Sequence, residues 1–107
     1  MRYWAVTCRS LPASAMALFP FMLFKDPGQK THPILINHEK IHFVQQIELL
    51  IIPFYILYFF FYLINLIRYR NHAKAYFNIC FEKEAYANER NLKYLQNRGF
   101  YAWLRCF

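Results

Sequence analysis

The sequence is poor in the residues that build loops and disulfide frameworks. It has two glycines among 107 residues, so few positions are suited to tight turns that need a positive φ. Its three cysteines, Cys8, Cys80 and Cys106, form no C-x-x-C pair, which argues against a four-cysteine zinc site and predicts free or buried thiols. The apolar run that a lipoprotein signal needs before Cys8 is absent as well.

Acidic residues are also scarce. Six Asp and Glu stand against 13 Lys and Arg, and the net charge of +7 favours an anionic partner. The basic residues do not fall into a recognisable nucleic-acid-binding motif. Because hydrophobic residues make up 58% of the chain and aromatic residues 21%, the predicted partner is membrane lipid and not nucleic acid.

The length predicts one domain, residues 1–107, which begins with an apolar segment over residues 1–36. The run from Leu11 to Phe24 resembles a signal peptide, but no small-x-small cleavage site follows it, so we expect the segment to be retained. Asp26-Pro27-Gly28 is a turn signal, and His32–Ile36 has the pattern of a short extended piece. Together they predict a loose hairpin from about Leu18 to Ile36.

The second predicted segment, residues 37–70, is a helix that begins at Asn37 as its N-cap and continues into an apolar stretch. In residues 47–67 the only clearly polar members are Glu48 and Asn65, and these 21 residues match the length of a membrane span. Pro53 must kink or break the helix. The third segment, residues 73–97, is polar and predicts a second helix that carries glutamates.

The motif His38-Glu39-Lys40-Ile41-His42 begins the second segment. Two histidines four residues apart lie on one helix face, so both imidazoles can reach one zinc ion. Glu39 is then placed to hold and deprotonate a zinc-bound water. The alternative interpretation is two surface histidines at the start of an amphipathic helix, since so short a pattern also arises by chance.

A catalytic zinc takes about three protein ligands, and the third segment supplies candidates. Glu82 comes three residues before the small Ala85, which would share its helix face and allow two helices to approach closely. Glu84 and Glu89 remain open as alternatives, and all three glutamates could instead belong to a solvated charged helix. Tyr86, one turn after Glu82, is placed to hydrogen-bond a ligand histidine or an oxyanion, or else is an interfacial tyrosine.

The blocks His38–His42 and Glu82-Lys83-Glu84-Ala85 together resemble the gluzincin metallopeptidases, which pair H-E-x-x-H with a later E-x-x-A helix. The similarity is closest to membrane-bound members such as the prenyl-protein endopeptidases and the bacterial heat-shock membrane proteases. The resemblance implies that His38, His42 and Glu82 bind zinc and that Glu39 is the base. The family usually has Asp after the alanine, where this chain has Tyr86.

The zinc hypothesis constrains how the apolar stretch can meet a membrane. If residues 47–67 crossed the bilayer once, His42 and Glu82 would lie on opposite sides, and carrying Arg68 back through lipid costs several kcal/mol. We therefore expect a monotopic protein. Either the chain bends at Pro53 and returns on the same side, or the helix lies in the interface plane. Three tyrosines favour the second arrangement, Tyr55, Tyr58 and Tyr62.

The predicted fold is mainly α, with the N-terminal hairpin as a small β addition, and contains a zincin-like two-helix metal site. The predicted function is a membrane-associated zinc metallopeptidase in which Glu39 activates the attacking water. Its partners would be membrane lipid and a peptide or protein substrate, and the bacterial inner membrane, with the site on the cytoplasmic face, is the expected location. The main alternative is a non-catalytic membrane subunit or scaffold, with a structural or vestigial metal site and partner membrane proteins.

Overall fold

The computed structural model describes residues 3–11 and 13–106. Residues 1, 2 and 12 of the predicted N-terminal segment, and residue 107, lie outside the described residues. The elements in chain order are β1 (Trp4–Thr7), β2 (Ala15–Leu18), β3 (Phe21–Phe24), α1 (Pro33–Glu48), α2 (Ile52–Tyr69), α3 (His72–Phe77), α4 (Cys80–Asn88) and α5 (Tyr94–Asn97), with 3-10 turns at Pro27–Thr31 and Ala102–Cys106. The prediction of a mainly α fold with a small β element is confirmed.

The N-terminal strands form a three-stranded sheet in the order β1-β3-β2. β2 and β3 are antiparallel and pair Leu18 with Phe21 across a turn at Pro20, while β1 runs parallel to β3. The predicted hairpin from Leu18 to Ile36 is therefore wrong in position, because the chain turns at Pro20 and Asp26-Pro27-Gly28 instead opens a 3-10 turn. The continuous apolar composition hid the alternation of buried and exposed residues that marks these strands.

α1 begins one turn before the H-E-x-x-H motif. His32 is the N-cap and its Nδ1 accepts the backbone N–H of Leu35 at 3.2 Å, while Pro33 occupies the first helical position, where its missing N–H costs nothing. The predictions of an extended piece at His32–Ile36 and of an N-cap at Asn37 are therefore wrong. Asn37 is instead a buried residue within the helix. Its side-chain amide donates to the backbone carbonyl of Asn88, the last residue of α4, and to those of Glu89 and Asn91, which follow α4.

The helix predicted over residues 37–70 is divided into α1 and α2. The chain bends between the two helices at Leu50 and Ile51, which have φ of 62° and 64°. Residues with a side chain seldom adopt such values, but the sequence has no glycine at this bend. Pro53 lies in the first turn of α2, so the predicted break is confirmed. The single helix predicted over residues 73–97 is also wrong, since α3, α4 and α5 occupy that range.

α1 lies between the sheet and α4 and contacts both. On one side Phe43 packs against the buried face of the sheet, and Gln46 accepts the N–H of Phe19 at 2.8 Å and donates to the carbonyl of Ala17 at 2.9 Å. On the other side Gln45 donates to the carbonyl of Phe81 at 3.0 Å. These contacts turn the histidine face of α1 toward α4.

The tyrosines of α2 point into the protein. The Tyr55 hydroxyl donates to the carbonyl of Ala17 at 2.6 Å, the Tyr58 hydroxyl to Glu82 at 2.6 Å, and Tyr62 bonds His72 at 2.8 Å. The prediction that these tyrosines anchor the helix at a lipid interface is therefore wrong. α2 is still long and apolar enough to cross a membrane, with a mean hydropathy of 1.4 over 18 residues of which only 6% are buried.

Candidate metal centre

α1 and α4 bring together the three side chains that the sequence proposed as metal ligands. Glu82 Oε1 lies 3.2 Å from His38 Nε2 and 3.0 Å from His42 Nε2, and one donor atom from each residue lies within 4.8 Å of the others. The three residues are 4–5% exposed. This buried cluster of His38, His42 and Glu82 could hold a metal ion.

The donor set fits zinc. Two imidazole nitrogens and one carboxylate oxygen are a set that zinc takes in hydrolytic sites, with bonds of about 2.0–2.2 Å. Tetrahedral donors at that distance stand roughly 3.3 Å apart, close to the two separations from Glu82 Oε1. The donor atoms of the two histidines lie within 4.8 Å of each other.

Gln45 fixes the protonation of His42. The Gln45 amide nitrogen donates to the Phe81 carbonyl and to Glu84, both at 3.0 Å, so its oxygen is the acceptor that faces His42 Nδ1 at 2.8 Å. Nδ1 therefore carries a proton and Nε2 faces the Glu82 carboxylate. Although burial lowers the pKa of His42, the negative charge of Glu82 and its hydrogen bond raise that pKa to about 9. Without a metal, a second proton binds where the ion would bind.

Glu82 is held by three groups. The Tyr58 hydroxyl donates to Oε2, which leaves Oε1 to face both histidines. Burial alone would raise the pKa of Glu82, but the His42 charge and the hydrogen bonds from His38, His42 and Tyr58 hold it well below its usual range. The carboxylate therefore stays ionised with one oxygen free for a single bond to a metal.

Glu39, the predicted base, is 5% exposed. Within the described chain no hydrogen bond or close ion pair joins its carboxylate to another residue, although the charges of His42, His38 and Glu82 act on it. Burial raises the pKa of the Glu39 carboxyl above its ordinary value, against the opposing effect of the two histidines. A buried carboxylate without a bonded partner beside three metal donors is suited to holding a water molecule.

The two alternative third ligands have other roles. Glu84 is buried and accepts from Gln45, Tyr94 and Arg98, so it does not face the histidines. Glu89 lies on the far side of His38, with Oε2 at 3.5 Å from Nδ1. A carboxylate behind a ligand histidine favours the tautomer whose other nitrogen is free for the metal.

Tyr86 lies beside the cluster without bonding to it. Its ring packs edge-on against His38 with centroids 4.5 Å apart, and its hydroxyl is 3.4 Å from that of Tyr76. It is 39% exposed. The predicted hydrogen bond from Tyr86 to a ligand histidine is therefore wrong in this structure. His32 and His72 are exposed and lie outside the cluster.

Tyr58 and Arg98 are site-supporting residues that the sequence did not reveal. Arg98 connects Glu84, behind Gln45, to Glu48 at the end of α1 with contacts of 2.8–3.0 Å. For Tyr58 a signal existed: Tyr55, Tyr58, Tyr62 and Asn65 share one helix face, and a polar stripe on an otherwise apolar helix indicates the side that turns toward hydrogen-bonding partners. For Arg98, which is distant in sequence from its partners, no local pattern pointed to them.

Comparisons with known proteins find no match to this chain among protein-family models, curated proteins or solved structures. The resemblance to gluzincins therefore rests on His38–His42 and Glu82–Ala85 alone.

Replacing Tyr58 by phenylalanine should weaken metal binding while the protein stays folded. Loss of the hydroxyl frees Glu82 Oε2, and removal of a group that orients a ligand typically lowers metal affinity by about 10–100-fold. Titration of the metal-free protein with zinc against a fluorescent chelator measures the change. Tyr62→Phe is the matched control, because its hydroxyl bonds His72 outside the cluster. Equal affinities in the two variants would show that Tyr58 does not position Glu82.

Proposed function

We propose that this protein is a membrane-associated zinc metallopeptidase of the gluzincin type. The observation that carries the proposal is the buried cluster of His38, His42 and Glu82 with the unpaired carboxylate of Glu39 beside it. A structural zinc site is usually closed by four protein ligands, whereas a catalytic one keeps a position open. Three donors and an adjacent carboxylate match the catalytic kind.

The metal donors, Glu39 and the supporting residues have separate roles in the proposed reaction. Zinc held by the three donors supplies Lewis-acid chemistry that activates water and polarises a carbonyl group. Glu39 orients the attacking water and accepts its proton, then returns a proton to the leaving amine. Gln45 and Tyr58 keep His42 and Glu82 in the protonation states and orientations that metal binding needs.

Membrane association is supported by α2. Its mean hydropathy is 1.4 over 18 residues, and only 6% of those residues are buried in the protein. A soluble monomer seldom exposes so continuous an apolar helix. A membrane location also supplies the class of substrate that we propose, peptide segments that lie at or near a lipid surface.

Replacing Glu39 by glutamine should abolish hydrolysis without removing zinc. The substitution keeps the shape of the side chain and removes the proton acceptor, so we expect turnover of a library of quenched fluorescent peptides to fall by about 10²–10⁴-fold. Zinc affinity should change by less than a few-fold, because Glu39 is not among the three donors. Asp26→Asn, the same chemical change at an exposed position, serves as the control and should keep full activity.

Two results would contradict the peptidase proposal. If Glu39→Gln and the parent cleave the peptides at the same rate, Glu39 is not the base. If the zinc-loaded parent cleaves none of the peptides, alone or on vesicles, the alternative of a non-catalytic membrane subunit is the better account.

That alternative is favoured by the 4–5% exposure of all three donors. Cobalt-substituted protein distinguishes the two, because added azide changes its visible spectrum only where a coordination position is open.

A further inference from the structure

α2 has its apolar side turned outward. Ile52, Ile56, Phe59, Phe60, Leu63 and Ile67 recur at helical spacing and are all exposed, from 39% at Leu63 to 79% at Ile67. We call this set the α2 stripe. In a helix that faces water the outward side is polar. An exposed stripe without a polar member indicates that something other than water covers it.

The inward side of α2 carries four polar side chains, and all four are hydrogen-bonded. Tyr55 and Tyr58 bond Ala17 and Glu82, Tyr62 bonds His72, and Asn65 donates to the carbonyl of Ala75 at 3.1 Å. These bonds fix the rotation of α2 about its own axis. The stripe therefore cannot turn inward without breaking them.

The charges around the α2 stripe indicate what kind of partner covers it. No Asp or Glu occurs between Glu48 and Glu82 in the sequence, while Arg68, Arg70 and Lys74 are exposed at the end of α2 and in α3. A second copy of this chain would bring another net charge of +7 toward that end. A bilayer with anionic headgroups matches both the apolar stripe and the basic end.

The packing of α3 and α4 decides how α2 meets the bilayer. α3 and α4 cover the inward side of α2 over much of its length. Tyr58 donates a hydrogen bond to Glu82 of α4, and Asn65 donates one to the carbonyl of Ala75 in α3. If α2 stood across the bilayer, the exposed Lys74 of α3, which packs beside α2, would be carried toward the hydrocarbon at a cost of several kcal/mol. With α2 parallel to the surface, only the stripe enters the lipid.

We propose that α2 lies in the plane of an anionic membrane, with the α2 stripe in the acyl region and with Arg68, Arg70 and Lys74 on the headgroups. α2 is about 27 Å long, and side chains of such helices enter lipid to a depth of about 5–10 Å. The metal centre, on the Tyr58 side of α2, then lies on the side of the helix away from the lipid. This inference rests on the membrane association proposed above and is independent of zinc and of hydrolysis.

Vesicle flotation of the purified full-length protein tests the interaction. We expect binding to phosphatidylcholine vesicles that contain phosphatidylglycerol, and weaker binding to phosphatidylcholine alone. Replacing Arg68, Arg70 and Lys74 together by glutamine should lower the affinity for the anionic vesicles by about 100-fold, from about fivefold per residue. Phe59→Ser should lower it by at least about tenfold on both vesicles. Phe100→Ser, at an apolar side chain 91% exposed outside α2, is the control and should have no effect.

Depth-dependent quenching by brominated lipids tests the orientation. Tryptophan is placed singly at Ile52, Phe59 and Ile67, near the start, middle and end of the stripe, and the signal of the parent, which has Trp4 and Trp103, is subtracted. The in-plane arrangement predicts the same shallow depth at all three positions. A deep middle position with both ends at the interfaces would show that α2 spans the bilayer and would overturn the proposal.

The remaining outcomes are equally decisive. Absence of binding to either vesicle would overturn both this inference and the proposed membrane association, while zinc binding and hydrolysis stay testable in the same preparation. If the parent binds both kinds of vesicle equally well, and the triple variant binds as the parent does, the three basic residues do not recognise anionic headgroups and that part of the proposal is wrong. A dimer in lipid-free solution that Phe59→Ser dissociates would show that a second copy, not lipid, covers the stripe.

Discussion

Replacing Glu82 by alanine is expected to remove tight zinc binding from a protein that still folds. Glu82 is one of three donors, and the other two both face its Oε1. Structural zinc sites with four ligands bind with about 10–16 kcal/mol, or roughly 3–4 kcal/mol per ligand. We therefore expect the zinc dissociation constant to rise by about 100–1,000-fold, measured by chelator competition on parent and variant at one pH.

Glu89→Ala is the matched control for this prediction. It removes the same side chain from the neighbouring region of the chain, and Glu89 stands behind His38, outside the three donors. We expect a smaller loss of zinc affinity than for Glu82→Ala, within the range of about 10–100-fold typical of an orienting group. A variant pair in which Glu89→Ala loses zinc and Glu82→Ala keeps it would assign the third ligand to Glu89. Circular dichroism of both variants verifies that they are folded.

Replacing Arg98 by alanine is expected to cost a large part of the folding stability. Its guanidinium bonds Glu48 at 2.8 and 2.9 Å and Glu84 at 3.0 Å, and side-chain exposures at this cluster are 6% or less. Although burial lowers the pKa of Arg98, the hydrogen bonds that its guanidinium donates to Glu84 and Glu48 raise that pKa. Removing one member of a buried ion pair leaves an uncompensated charge and costs about 3–5 kcal/mol, here with two carboxylates left behind.

Urea denaturation of the metal-free protein measures this loss. Arg90→Ala removes an exposed arginine and should change the free energy of unfolding by less than about 0.5 kcal/mol. Arg98→Lys keeps the charge but not the paired contacts, so it should fall between the parent and Arg98→Ala. If Arg98→Ala unfolds at the same urea concentration as Arg90→Ala, the cluster does not stabilise the fold.

The donor residues could be predicted from the sequence because they depend on local geometry. His38 and His42 share a helix face wherever that helix begins, so the error in placing its start at Asn37 did not disturb them. Ala85 and the E-x-x-A resemblance favoured Glu82 but left Glu84 and Glu89 open, and the structure brings Glu82 to both histidines. The mainly α fold followed from the same helical periodicity.

The rest depends on tertiary contacts that leave no local pattern. The positions of the strands were hidden because apolar residues fill both the buried and the exposed positions of β2 and β3. The bend at Leu50 and Ile51 uses positive φ without glycine, which no turn rule anticipates. The tyrosines of α2 match an interfacial helix by composition, and only the positions of Ala17, Glu82 and His72 show that they face inward.

The measurement that tests the metal centre most directly is X-ray absorption at the zinc edge on the full-length protein, loaded with zinc and freed of excess. We predict about one zinc per chain, nitrogen and oxygen neighbours at about 2.0–2.1 Å and the outer scattering of two imidazole rings, as His38, His42 and Glu82 require. Loss of the zinc during removal of the excess would contradict the metal centre. So would sulfur neighbours at about 2.3 Å, which would place the ion on Cys8, Cys80 or Cys106.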